Sequence, residues 1–486
     1  TGYVRRDVRR AMMKDKAAMK AVQNLKLTVE ELLMAQDAFQ GGFTHANAGW
    51  SDSTMYDVVS YDFTSSYPAV MIAEKYPCSN GTKVDPKSHE EFMEYIRTKC
   101  CLIKIVMYDV KLKKFMGDCP ISKSKCIIPK RRQCGKRNKK VIDNGRIRMC
   151  QELVTTITEQ DFLTYKKFYK FDFEVLDMYV YEKAYLPKPI IEKVLEYYVG
   201  KTKLKDVEGK EEEYQWHKAN LNSIFGMMVM AIVREIIEYT DKWEKKRKPD
   251  IEEVLEKYND DKKRFNWYLW GVWITAYARK NLFSGIWECG SDDYIYSDTD
   301  SMKILHASEH DAYIAEYNRQ ITEKLEACLN FYELDTSLIC PETVQGKKKP
   351  LGVWDFDGHY KEFKTIGAKR YLVRKDDDSL HATIAGVPKS AAEHHFSRYD
   401  DPFEHFEDGE EIMFDSDDPK VGQKLTHTYL DDDDVITLTD YTGQTETIHT
   451  ASGIHLEKAS FKIGLSDDYM KLVERLNGGE RGQSFN

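Results

Sequence analysis

Short runs of β-forming and apolar residues, each closed by turn formers, organise this chain. Val58-Val59-Ser60-Tyr61-Asp62-Phe63 gives way to Thr64-Ser65-Ser66-Tyr67-Pro68. That pattern predicts a strand leading into a helix with Pro68 in its first turn. Tyr294-Ile295-Tyr296 and Met302-Lys303-Ile304-Leu305 flank Ser297-Asp298-Thr299-Asp300-Ser301. This predicts two strands joined by a tight turn, with Asp298 and Asp300 at the tip. Further strands are predicted over Cys101–Val110, Phe171–Tyr181 and within 351–386, the last including Lys364–Val373.

Helical patterns fill the intervals. Residues 1–26 read as one basic helix carrying Arg5, Arg6, Arg9, Arg10, Lys14 and Lys16. Thr28 with Glu31 forms a capping box for a helix over Val29–Phe39. Gly41-Gly42 follows it, either ending that helix or admitting a close backbone approach. Ser88 and Glu91 cap a short helix, and a helical pattern from Pro189 to Tyr198 leads to a basic turn, Lys201–Lys205. A helix through Trp216–Gly226 puts Lys218, Asn222 and Phe225 on one face at i, i+4 and i+7. Residues 227–267 are highly charged, notably Lys242–Lys248, and read as an exposed insertion. An apolar helix spans Trp267–Trp287, its apolar run interrupted at Thr275–Lys280, and Gly290 marks its end. Ser308 with Asp311 opens a long helix to about Tyr332.

Composition narrows the class. A chain of 486 residues is long for one core, so two to four subdomains are expected. With 42% apolar and 31% charged residues, the balance is that of a soluble globular protein. Neither an apolar run of membrane-spanning length nor a signal peptide is visible, which points to a cytoplasmic protein. Ten cysteines without a CxxC pair suit free thiols in a reducing compartment better than a zinc site. The net charge of −9 alone disfavours a nucleic-acid binder, but the charge is segregated. A basic loop over 130–140 contrasts with an acidic stretch over 400–434, read as solvated surface facing away from nucleic acid.

Candidate chemistry centres on Asp62, Asp298 and Asp300. Carboxylates so close repel unless a cation separates them, and a divalent metal with oxygen ligands is the usual solution. The alternative is a polar hairpin tip, where Asp suits the turn. The Lys218, Asn222 and Phe225 face offers groups for phosphate, base and sugar, or is an ordinary amphipathic helix.

Asp62-Phe63-Thr64-Ser65-Ser66-Tyr67-Pro68, the helix Lys218 to Gly226 and Tyr296-Ser297-Asp298-Thr299-Asp300-Ser301 resemble, in order, three signatures of family B DNA polymerases. Phe39-Gln40-Gly41-Gly42, Thr275 to Arg279 and Lys369-Arg370-Tyr371 resemble elements of its protein-primed phage branch. The resemblance implies an α+β right-hand polymerase fold, with an antiparallel-sheet palm, helical fingers, a small thumb and two insertions. It divides the chain into a helical linker region (1–53), palm strand (54–74), insertion and palm (75–200), fingers (201–230), second insertion (227–267), palm with catalytic hairpin (268–375) and thumb with C-terminal region (376–486).

The chemistry implied is two-metal dNMP addition to a primer 3′-hydroxyl, using Mg²⁺, or Mn²⁺ in its place, with ions about 3.5–4 Å apart. Asp62, Asp300 and Asp298 are then metal ligands. Lys218, Asn222, Phe225, Tyr67, Ser66 and Lys201 are expected at the nucleotide. Gly41, Gly42, Ser65, Ser223, Gly226, Thr275, Arg279, Lys369 and Tyr371 are expected on DNA. Implied partners are primer-template DNA, dNTPs and either a terminal protein or another replication factor, in the bacterial host cytoplasm if the chain is phage-encoded, with no membrane; priming by a terminal protein, by nucleic acid or by neither stays open.

The chain departs from the family at Ser66, in place of Leu, and at Phe39 and Phe225, each in place of Tyr. The family's proofreading domain is expected to be absent, because Asp172-Phe173-Glu174, Asp206-Val207-Glu208 and Asp250-Ile251-Glu252 read as a strand face, a loop and a helix start. Two rivals are a reverse transcriptase or RNA polymerase, disfavoured by the Lys218 helix and Tyr67, and an inactive DNA-binding scaffold, disfavoured by the intact carboxylates.

Overall fold

A computed structural model describes residues 2–234, 249–414, 425–429, 433–439, 443–451 and 454–477. The expected basic segment Lys242–Lys248 lies outside them, as do residues 415–424 and 430–432 of the acidic stretch. The chain divides into two compact units, Thr1–Asn47 with Val59–Gly358, and Ala48–Val58 with His359–Gly479.

The first unit is built on an antiparallel sheet. Thr44–Ala46 pairs with Tyr294–Asp298, that strand with Ser301–Ile304, and Ser301–Ile304 with Thr54–Phe63. The start of Trp354–Gly367 lies beyond Thr54–Phe63. A second antiparallel sheet has Cys100–Leu112 between Tyr169–Tyr181 and Arg146–Thr158. Ile103, Ile105 and Met107 of strand Cys100–Leu112 pack into one core cluster, and Leu102 and Val106 between them are buried as well.

Helix Tyr268–Asp293 is apolar nearly all round, and a helix of that kind belongs inside a core. Trp273, Ile274 and Leu282 are fully buried along it. Gly290 breaks it at φ +64°, a conformation that suits glycine. The last residues then turn the chain into the hairpin strand Tyr294–Asp298.

Three predicted boundaries differ. The basic segment forms two helices, Gly2–Lys14 and Lys16–Asn24, because Asp15 is extended and its carboxylate accepts from Ala18 N–H as an N-cap. Lys201–Leu204 is not a separate turn but the last turn of helix Lys188–Leu204, where cations favour the dipole. The long helix runs Asp311–Phe331, preceded by a 3₁₀ turn over Ala307–His310, so Ser308 does not cap it. The Thr28/Glu31 capping box is present in full, with each residue bonded to the other's backbone amide.

In the second unit, Trp354–Gly367 pairs with Arg370–Lys375, which pairs with Leu380–Ile384. Helix Lys389–Phe396 packs on Leu380–Ile384. Ile366, Leu372, Phe396, Phe403, Phe406 and Ile412 form the core. The acidic stretch is therefore not all solvated surface: Phe403, Phe406 and Phe414 turn inward between the carboxylates. Leu425–Tyr429 with Ile454–Lys458, and Asp433–Thr439 with Thr445–Ala451, make two-stranded ribbons.

Candidate active site

Strand register brings the predicted carboxylates together. Asp298 pairs with Ser301 across the hairpin, and Ser301 pairs with Asp62 across the next ladder. Phe63 N–H donates to the Asp300 carbonyl at 2.8 Å, fixing the tip beside the Asp62 strand. Thr299 takes φ +62° at the turn, and its N–H donates to the Phe43 carbonyl at 2.6 Å. A Cβ on Gly42 would lie 2.6 Å from Thr299 Cγ2, so only glycine lets this segment pass under the turn. Thr44 Oγ1 donates to Asp298 Oδ1 at 2.6 Å, and Thr299 Oγ1 donates to the same oxygen at 3.2 Å. Asp298 is thereby anchored by hydroxyls.

Asp62 and Asp300 are held by charge. Burial pushes the Asp62 carboxyl up to about 7, with the negative charges of Asp300 and Asp357 adding to the rise. Burial likewise raises Asp300, and Asp298 adds to it. Proton-free, the cluster holds more negative charge than its surroundings compensate. All its donors are hard carboxylate oxygens, the ligand type that Mg²⁺ or Mn²⁺ takes, so the residues fit a divalent ion.

A cavity of about 360 Å³ opens beside Asp62, lined also by Ser65, Lys201, Lys205, Lys347 and Asp357. Ser65, at φ +62°, starts helix Ser66–Ala73 and accepts from Lys201 Nζ at 2.9 Å. Burial, then the charges of Lys218 and Lys205, lower the Lys201 ammonium to about 8. A cavity of lysines beside carboxylates suits a phosphate chain that brings its own metal.

Ser66 is buried at the first turn of that helix, and Tyr67 follows it. The Tyr67 ring stacks on Phe225, centroids 4.3 Å apart and planes 20° apart. Helix Glu211–Met228 supplies Phe225 and buries Asn220, Leu221, Ile224 and Met227. Lys218 and Asn222 are exposed, while Ser223 and Gly226 are half-buried.

Other expected site residues lie elsewhere. Thr275 is buried, its hydroxyl donating to the Val272 carbonyl at 2.9 Å in its own helix. Arg279 is 5% exposed and pairs with Asp161 at 2.8 Å. Its other nitrogen donates to the carbonyls of Gln40 and Gly41. Arg279 therefore braces the segment that passes beneath Thr299, and Gly41 itself faces open space. Lys369 and Tyr371 belong to the second unit, Lys369 at φ +55° and Tyr371 stacked on Phe363 at 5.5 Å.

Sequence reasoning passed over Asp357 and Lys303. Ser60 Oγ donates to Asp357 Oδ2 at 3.0 Å, tying that carboxylate to the Asp62 strand. The alternation Asp355-Phe356-Asp357 was the available signal. Lys303 shares its strand face with Ser301, a period-two relation readable in the sequence.

Asp172 and Glu174 are both exposed on one strand face, Asp206 sits in a loop, and Asp250 caps helix Ile251–Asp260. Among the described residues the one group of three whose ligand atoms lie within 4.8 Å of one another is His45, Asp118 and Asp143. His45 Nδ1 meets Asp118 at 2.7 Å and Nε2 meets the Asp143 carbonyl at 3.1 Å. Arg148 donates to Asp143 at 3.0 Å. Burial opposes charge on His45, yet Asp118 and Asp143 raise its pKa. With an acceptor at each ring nitrogen and an arginine already present, the group is a buried ion network fastening the sheet edge.

The family model described as DNA polymerase type B, organellar and viral, matches residues 15–318. The structure is similar to phi29 DNA polymerase complexed with primer-template DNA and incoming nucleotide substrates, with TM-score 0.53, 17% identity, and coverage of 90% of this chain and 63% of that one. It is similar to the same enzyme in a post-translocation binary complex with primer-template DNA, with TM-score 0.56, 16% identity, and coverage of 93% and 66%. With the single-stranded DNA complex the values are TM-score 0.57, 16% identity, and 95% and 67%. The chain thus spans 63% of the length of the first of these structures. No curated protein sequence matches significantly. The likeness establishes the right-hand polymerase fold, with mixed helices and antiparallel sheets.

Proposed function

Because the chain belongs to the organellar and viral type B DNA polymerase family, we propose that it adds dNMP to a DNA primer 3′-hydroxyl as a template directs. The observation that carries this is the adjacency of Asp62 on its strand and Asp300 at the hairpin tip, with burial raising both carboxyls, the Asp300 charge adding to the rise at Asp62 and the Asp298 charge to that at Asp300. Asp62 and Asp300 would hold two Mg²⁺ ions, or Mn²⁺ in their place. Asp298, bonded to Thr44, keeps the hairpin tip in register. Bound there, the metals would activate the 3′-hydroxyl and steady the pyrophosphate leaving group.

The remaining roles belong to the chain's own side chains. Lys201 stands in the cavity beside Asp62, placed to neutralise a triphosphate. Lys218 reaches the same phosphates from the exposed face of its helix, with Asn222 and Phe225 beside it. Tyr67, stacked on Phe225, forms a wall against the sugar. Ser65, Ser223 and Gly226 sit along the approaches to this wall and would meet the DNA backbone. Arg279 and Thr275 support the template side through the Gly41–Gly42 segment, and Lys369 and Tyr371 hold the primer end. In this reading the catalytic sheet is the palm, the Lys218 helix belongs to the fingers, and the C-terminal region is the thumb.

The primer would be a terminal protein or a nucleic acid, or initiation would need neither, and the setting would be a phage or mobile-element genome, in the bacterial host cytoplasm if the chain is phage-encoded. Among the described residues no helix is long and apolar enough to cross a membrane. Extension of a labelled primer on a defined template, with single dNTPs or rNTPs and with or without the oligonucleotide primer, tests the reading. Incorporation of the complementary dNTP alone supports it. Incorporation unrelated to the template base, or none in either Mg²⁺ or Mn²⁺, counts against it.

Two substitutions probe the nucleotide side. Lys218→Ala is expected to lower kcat/KM for dNTP by about 10²-fold, from loss of a charge-assisted phosphate contact. Steady-state kinetics checks this, and an unchanged kcat/KM would place the helix elsewhere. Tyr67→Val is expected to admit rNTPs at least about tenfold better relative to dNTPs, the ring being the wall against a 2′-hydroxyl. Paired dNTP and rNTP incorporation rates read this directly, and an unchanged ratio rules Tyr67 out as the gate.

A further inference from the structure

Lys303 is a charged residue of the catalytic sheet to which the roles above assign nothing. It sits within strand Ser301–Ile304, opposite Ser60 on one side and Tyr296 on the other. Strand alternation places Lys303 on the face of Ser301, and the ladder places Ser60 and Asp62 on that face too. Met302 and Ile304 point the other way and are fully buried. The Lys303 side chain is itself 5% exposed, and its ammonium donates to Ser301 Oγ at 3.0 Å. The long stem therefore runs forward along its own strand, toward the turn that carries Asp298 and Asp300. Asp357, bonded to Ser60, lies on the strand beyond that of Ser60.

A buried ammonium is costly unless negative charge surrounds it. Here burial lowers the ammonium's pKa, and Asp357, Asp62, Asp298 and Asp300 counter that through charge. Lys303 is thus a cation built into a site that otherwise gathers carboxylates.

We propose that Lys303 is a resident counter-cation of the carboxylate site. It makes the mutual repulsion of Asp62, Asp300 and Asp357 bearable before a metal arrives, and it weakens the divalent ion that then enters. The site consequently fills weakly on its own and more tightly once a nucleotide brings its own negative charge. Lys303 is a positioning and affinity-setting residue, not a catalytic one. The inference rests on the proposed function in one respect, that Asp62 and Asp300 hold the metal.

The sign of the effect separates this from a merely structural role. Losing a structural lysine would loosen the carboxylates and weaken metal binding. Losing a resident cation removes a repulsion and strengthens it. Mn²⁺ binding to the DNA-free chain, followed by calorimetry and by the electron paramagnetic resonance of free Mn²⁺, reads this without any turnover. Lys303→Met is expected to bind Mn²⁺ about tenfold more tightly than wild type, since a unit charge close to a dication in a poorly solvated site is worth at least that much. Lys303→Arg, which keeps the charge, is expected to stay within about twofold of wild type. If Lys303→Met does not fold, Lys303→Gln carries the same expectation and keeps a donor for Ser301 Oγ. Equal or weaker Mn²⁺ binding by the neutral variant overturns the role of Lys303. Asp300→Asn is the control: its loss of Mn²⁺ binding locates the ion, and unchanged binding overturns the carboxylate assignment itself.

Discussion

Asparagine in place of Asp62 or Asp300 is expected to reduce primer extension by about 10³-fold or more, or ~4 kcal/mol of transition-state stabilisation. An amide matches a carboxylate in size but carries no charge, so it cannot share a dication. Asp62 lies beside the hairpin tip that carries Asp300, and the Asp300 charge adds to the rise of the Asp62 carboxyl. Removing either leaves the remaining carboxyl less crowded and the fold at least as stable. The expected pattern is therefore lost catalysis with DNA affinity kept within a few-fold, checked by single-turnover extension beside a gel-shift titration. Asp298→Asn is expected to act differently. Its Oδ1 accepts from Thr44 and Thr299, so that variant disturbs the hairpin as well as the charge.

Arg279→Met is expected to be the most destabilising single change, by about 3–5 kcal/mol, because it leaves Asp161 as an unpaired buried carboxylate. The pair measures 2.8 Å with both side chains almost fully buried. The same guanidinium satisfies the Gln40 and Gly41 carbonyls, so the segment bearing Gly42 loses its brace. Urea denaturation checks the magnitude. The double variant Arg279→Met with Asp161→Asn is expected to recover part of the loss, since the uncompensated charge is gone while the backbone carbonyls still lack a donor. An Arg279→Met protein as stable as wild type would mean that the guanidinium is exposed and available to bind template.

What could be read from sequence followed the range of the interactions. The Thr28/Glu31 capping box, the Asp62 strand, the Pro68 helix and the hairpin depend on residues within a few places of each other, and all are present. The break at Asp15 was also local: a carboxylate able to cap a new helix outweighed the basic run on either side. Long-range facts were hidden. Asp357 stands in a legible alternation, but its joining the Asp62 strand depends on a pairing between distant segments. Gly42 needs its lack of a side chain because of Thr299, far along the chain. Thr275 and Arg279, expected on DNA from the resemblance, are buried because helix Tyr268–Asp293 is wrapped on nearly every side. Lys303 followed an alternating pattern that is ordinary for a half-exposed strand, and only the full sheet shows that its face is buried.

The central claim is that Asp62 and Asp300 hold divalent metal at the point of nucleotide addition. It is tested most directly by anomalous scattering from Mn²⁺ in crystals of the chain with template, a 3′-deoxy primer and the complementary dNTP. Mn²⁺ peaks coordinated by Asp62 and Asp300 and by the triphosphate are the predicted result. Mn²⁺ bound elsewhere, with these two carboxylates free of metal while nucleotide and primer are in place, would contradict it.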